Sequence, residues 1–139
     1  MVVYGGCVYN GVIQGISFIK DNRQMLRDSH LFVFAVGLTS NGDNAAFEQV
    51  LARNFKQEER EGIQFYHFMG ALDHKKLSIL QKPMMYILKK NIQSKRPEAR
   101  NQVEQYLLDS YGGKIDFTNR AYVEPMVRTI QETAVDAQC

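Results

Sequence analysis

Three short apolar runs organise the first half of the chain. They are Val2-Val3-Tyr4, the unbroken Leu31-Phe32-Val33-Phe34-Ala35-Val36, and Ile63-Gln64-Phe65-Tyr66-His67-Phe68-Met69. The middle run shows no alternation of apolar and polar residues, the pattern of a strand buried on both faces in a parallel sheet. Between the runs the period changes. Ile13, Ile16, Ile19 and Leu26 form one helical stripe, with Lys20, Arg23 and Arg27 free to face water. Phe47, Val50, Leu51 and Phe55 form a second stripe, which fades into the polar stretch 56–61 and stops at Gly62. The pattern predicts parallel strands near 1–8, 31–37 and 63–69. Helices over 12–27 and from a cap at Asp43 or Asn44 would join them as two crossovers.

Beyond Met69 the pattern is helical. Leu77, Leu80, Met84 and Leu88 share a face, and Pro83 is read as the start of the regular helix. Pro97 is expected to open a second helix through Val103, Leu107 and Leu108 to Tyr111, stopped by Gly112-Gly113. Thr118 or Asn119 would cap a last helix through Tyr122, Val123, Met126, Val127 and Ile130, with a kink or a late start at Pro125 and fraying from Thr133.

Composition narrows the class. A chain of 139 residues is read as a single domain, 1–139, large enough to bury a core. A net charge of +2 gives no argument for nucleic acid. Cys7 and Cys139 sit at opposite ends without metal spacing, which points to reduced thiols rather than a disulfide framework. No apolar run is long enough to span a bilayer, and the first residues lack the charged region of a signal peptide. The expectation is a soluble, cytoplasmic protein with at most peripheral membrane contact.

Ligands of open parallel sheets sit beyond the carboxyl ends of the strands. Two loops meet that description. The first is Gly5-Gly6-Cys7-Val8-Tyr9-Asn10-Gly11, whose glycines would let backbone approach a planar or phosphorylated ligand. The second runs from Gly37 through Leu38, Thr39, Ser40 and Asn41 to Asn44. Each residue also has a plainer role. Cys7 reads as a small residue filling the strand end rather than a redox thiol, and Tyr9 either stacks on a ligand or packs on protein. Thr39, Ser40 and Asn41 either bond a ligand edge or satisfy a turn. His74 reads as a solvated loop histidine, and His30 and His67 as structural ones.

Four segments together resemble a known family. They are Gly-Gly-Cys-Val-Tyr-Asn-Gly at 5–11, Phe-Ala-Val-Gly-Leu-Thr at 34–39, Phe-Met-Gly-Ala-Leu-Asp at 68–73, and Gly112-Gly113 through Asp116-Phe117-Thr118 to Tyr122. In this order they resemble flavodoxin-domain proteins, most closely the protoporphyrinogen-oxidase type. The resemblance implies an α/β fold, a flavodoxin-like three-layer sandwich around a parallel sheet, with FMN as cofactor. Of the family's three cofactor loops, residues 5–11 match the second and 37–44 the third, both of which clasp the isoalloxazine ring. That assigns cofactor contacts to Gly6, Cys7, Val8, Tyr9, Asn10, Gly11, Gly37, Leu38, Thr39 and Ser40. The first, phosphate-holding loop and the strands around it have no counterpart. The chain is therefore expected to be the carboxyl-terminal part of one such domain, binding FMN weakly or not at all by itself.

The resemblance implies electron transfer or a flavin-dependent oxidoreduction, with a redox partner protein or a quinone as the other party. No catalytic acid or base is required, because the flavin carries the chemistry. The alternatives are a non-catalytic interaction module of the same fold, and a binding domain for another flat or phosphorylated ligand. Two further expectations concern surfaces. The strand at Val2–Val8 carries no charge or proline to blunt an open edge, so it is expected to pair, for instance with a second copy. The stretch Lys75–Arg100 holds eight Lys or Arg against a single acid, Glu98, around the apolar Pro83–Leu88. It reads either as a docking surface for a membrane, a quinone or an acidic partner, or as a helix buried against the sheet with a solvated basic end. The second is the expectation carried forward.

Overall fold

A computed structural model of the chain describes residues 1–38 and 43–136. The chain divides into two compact units, Met1–Met69 with Thr118–Cys139, and Gly70–Phe117.

The first unit is built on a four-stranded sheet. Strand β1 is Val2–Tyr9, and it turns directly into the short β2, Val12–Ile13. Helix α1, Ser17–Asp21, follows, then β3, Leu31–Gly37, helix α2, Asn44–Asn54, and β4, Ile63–Met69. The strand order is β2-β1-β3-β4. Strands β1, β3 and β4 are parallel, with Val2 opposite Leu31 and Leu31 opposite Ile63. The parallel core predicted from the apolar runs is therefore present with the boundaries expected.

Both faces of β3 are covered, which explains its unalternated sequence. On one face Leu31, Val33 and Ala35 join Ile63 and Phe55, together with Ile13, Ile16 and Ile19. On the other, Phe32 and Phe68 pack with Met126, Tyr122, Val123 and Ile130 from the last helix, α5, Glu124–Asp136. Phe32 is wholly buried, and a side chain of that size contributes about 2–3 kcal/mol by leaving water. Strand β1 differs. Val2, Tyr4 and Val8 pack into the first cluster, but Val3, Gly5 and Cys7 on its other face are exposed.

Several helix expectations need correction. The helix predicted over 12–27 is a strand pair and then one short helix. Ile13 is drawn into the sheet opposite Val8, and Gly15 adopts φ +74, which breaks any helix running from residue 12. Helix α2 ends at Asn54. Residues 57–60 form a separate 3-10 turn, and Gly62 at φ +72 closes that segment. Asp43 caps α2, its carboxylate accepting from the Ala46 N–H at 3.0 Å. Asn119 caps a 3-10 turn over Arg120–Tyr122, and α5 begins after it, so Pro125 lies in the first turn, where a missing N–H costs nothing.

The second unit opens with β5, Ala71–Asp73, paired antiparallel with β6, Lys114–Asp116, an element the sequence pattern did not reveal. Between them lie α3, Gln81–Ser94, and α4, Gln102–Asp109. Helix α3 begins two residues before Pro83, which occupies its first turn. Pro97 opens only a 3-10 turn over 97–99, and α4 starts after Asn101. Asn101 and Glu104 cap that start reciprocally, at 2.8 and 3.1 Å. Arg100 donates to the carbonyls of Ile92, Gln93 and Lys95, satisfying the last carbonyls of α3. Only Ile92 of α3 is buried, so the expectation of a buried helix does not hold. No helix among the described residues is long and apolar enough to cross a membrane.

Candidate functional site at the carboxyl ends of the strands

Strands β1 and β3 run side by side with Cys7 opposite Val36, so their carboxyl ends reach the same edge of the sheet. The segment read as a loop from Gly5 is strand as far as Tyr9. Asn10 and Gly11 alone form the turn, with φ +50 and +74, and Tyr9 sits opposite Val12. A two-residue Asn-Gly turn with both φ positive is the favoured connection of a tight β-hairpin, and that dipeptide was the available signal.

The two earlier glycines are explained within the protein. A Cβ on Gly5 would collide with the ring of Phe34, and one on Gly6 would meet the Gln14 carbonyl at 2.6 Å. Their small size lets β3 and the returning hairpin close on β1. Gln14 is held there by two contacts: its N–H donates to the Cys7 carbonyl at 2.9 Å, and its carbonyl accepts from the Tyr4 hydroxyl at 2.6 Å.

Alternation along β1 separates the predicted contacts onto two faces. Gly6 and Val8 lie on the side of the first core, where the Val8 Cβ comes within 3.5 Å of where a Cβ on Gly37 would stand. Cys7 and Tyr9 lie on the opposite side, with Cys7 exposed and free and Tyr9 half-buried. Leu38 is half-buried just past β3, and Thr39 and Ser40 lie outside the described residues. The structure thus brings Val8 and Gly37 together on the first face, and places Cys7 and Tyr9 on the other.

Two further residues shape this edge: Asn54, which sequence reasoning passed over, and His67, which it read as structural. Asn54, at the end of α2, is 5% exposed and clamps the hairpin. Its Oδ1 accepts from the Ile13 N–H at 2.9 Å, and its Nδ2 donates to the Gly11 carbonyl at 2.8 Å and the Val50 carbonyl at 2.7 Å. The sign in the sequence was a polar residue on the apolar stripe of Phe47, Val50 and Leu51. The second is His67 of β4, whose ring lies 5.3 Å from that of Phe47. Its Nε2 is buried without a partner, 3.5 Å from the same Gly37 Cβ position, and burial holds its pKa below the ordinary histidine value. Among the described residues no cluster of His, Cys, Asp or Glu has the makings of a metal site.

A model of the flavodoxin domain matches residues 1–117 of the 139. The chain belongs to the flavodoxin family. No curated protein and no solved structure matches it. The family binds flavin for redox work, and the edge just described can be tested against that group. Among the described residues, no acceptor meets the N–H groups of Asn10 and Gly11. Two such donors on a turn held by Asn54, next in sequence to the half-buried Val8 and Tyr9, suit the polar edge of a flat, largely apolar ring. The residues present fit the ring part of a flavin.

Proposed function

We infer that this chain is a flavin-dependent redox module that holds the isoalloxazine ring of FMN at the joint carboxyl ends of β1 and β3. The observation carrying this reading is the Asn10-Gly11 turn, held in place by a buried asparagine, whose two N–H donors have no partner among the described residues. In this reading Asn10 and Gly11 bond the ring edge, and Tyr9 and Leu38 at the strand ends offer apolar contact. A bound flavin supplies one- or two-electron transfer, and the protein sets its potential by the hydrogen bonds it offers. No side chain is asked to act as acid or base.

The finer reading is an oxidoreductase or electron carrier of the protoporphyrinogen-oxidase type, working with a redox protein or a quinone. The four matching segments support it, and ring recognition is expected to dominate over phosphate recognition. The test is a titration of the chain with FMN and with riboflavin, followed by flavin fluorescence. Both should quench weakly and with similar affinity. A preference for FMN above about tenfold, the yield of one charge-assisted hydrogen bond, would contradict ring-only binding. No quenching by either flavin, with the chain folded by circular dichroism, would favour the non-catalytic interaction module instead.

A further inference from the structure

The second unit carries a surface that flavin binding does not use. The turn leading into α3 is closed by Ser78 and Gln81, whose side chains each accept the other's backbone N–H, at 3.3 and 2.9 Å. This fixes Ile79 and Leu80 in the turn before the helix, where they stand 85% and 81% exposed. Helical spacing places Pro83, Tyr86, Ile87 and Lys90 on one face of α3. Tyr86 and Ile87 are 53% and 57% exposed on it, while Ile92 on the far side is buried. From His74 to Pro97 there is no acidic residue, against seven Lys or Arg. Lys75, Lys76, Lys82 and Lys90 are exposed, and among the described residues none of the four forms an ion pair.

We propose that this face of α3 docks the protein on a membrane rich in anionic lipid, with Ile79, Leu80, Tyr86 and Ile87 entering the interface and the surrounding lysines meeting the headgroups. Two features favour lipid over an acidic protein. The apolar side chains stand half to mostly exposed on the helix and the turn before it, which suits a fluid surface that closes around them. Lys75, Lys76, Lys82 and Lys90 carry their charges on long flexible stems without matched carboxylates among the described residues, so they can follow mobile headgroups. The proposal stands independently of the flavin reading, because no residue of the ring site takes part.

The experiment is flotation of the full chain with vesicles of phosphatidylcholine alone or with about 30% phosphatidylglycerol, within the anionic range of natural inner leaflets. The chain should float with the anionic vesicles and stay behind with the neutral ones. Ile79→Ser with Ile87→Ser should weaken binding by at least about tenfold. Each of Lys75→Gln, Lys76→Gln, Lys82→Gln and Lys90→Gln should weaken it about fivefold. These positions are exposed, so an unchanged thermal melt verifies the fold. The chain contains no tryptophan, so Ile87→Trp makes a single reporter whose emission should shift to the blue on anionic vesicles. Failure of the unaltered chain to float would overturn the proposal. So would binding that depends on the lysines but ignores the apolar substitutions, or an unshifted Trp spectrum; either would leave an acidic protein surface as the better occupant.

Discussion

Asn54 is the residue on which the candidate site depends most. Three hydrogen bonds converge on a side chain shut away from water, and two of them run to the hairpin that carries Asn10 and Gly11. Removing it orphans the Ile13 N–H and the Gly11 carbonyl, each at a cost of about 1–2 kcal/mol where water cannot replace the lost partner. Asn54→Ala is therefore expected to destabilise the chain by about 2–4 kcal/mol in urea denaturation. It should weaken riboflavin binding as well, because the turn loses its backing. His67 gives a second expectation at this scale. Its folded pKa lies below the unfolded value, so the unfolded chain binds the additional proton as the pH falls past about 6.5. Its contribution is complete above that pH and is lost progressively below it. The urea midpoint should drop between about pH 7.5 and 5.5, and His67→Gln should flatten that part of the dependence. An equal drop in the variant would place the effect elsewhere.

At the scale of elements, legibility followed burial. Strands β3 and β4 were readable because a sheet covered on both sides demands an apolar residue at nearly every position, and Phe32 is the clearest instance. Phe32→Ala should cost about 3–5 kcal/mol, since it opens a cavity between the sheet and α5. A thermal melt or urea titration would measure it. The helix expected over 12–27 failed for a physical reason. Ile13, Ile16 and Ile19 do point into one core, but that core collects them from a strand, a turn and a short helix. Equal spacing in sequence did not mean one continuous element. In the second unit Pro97 was overvalued as a helix start, and the Asn101/Glu104 pair three residues apart was the better signal. The exposed apolar face of α3 was misread because apolar residues all around a helix ordinarily mean burial; here the structure leaves most of them in water.

For the whole molecule, the parallel order of the strands could be read from the sequence, whereas the surfaces could not. The open edge of β1 is the case with a consequence. On its side away from β3, only Val8 and Tyr9 are laddered, to Ile13 and Val12, so the positions before Cys7 have no strand partner among the described residues. On the same strand Val3 is 45% exposed, Gly5 and Cys7 are exposed, and Val2–Tyr9 contains neither a charge nor a proline. An uncharged, β-prone edge of this kind templates pairing with another strand. A second copy is the partner always present at equal concentration, and two identical edges related by a twofold axis complement each other. We therefore expect a dimer at roughly tens of micromolar, the range in which open edges associate, by size-exclusion chromatography with light scattering. Val3→Lys puts a charge on the exposed face of that edge at little cost to folding, because the side chain is already half in water. The variant should run as a monomer with an unchanged melting temperature. A monomeric unaltered chain at the same concentration would show that this edge does not associate, and identical dimers in both proteins would place the interface on another surface.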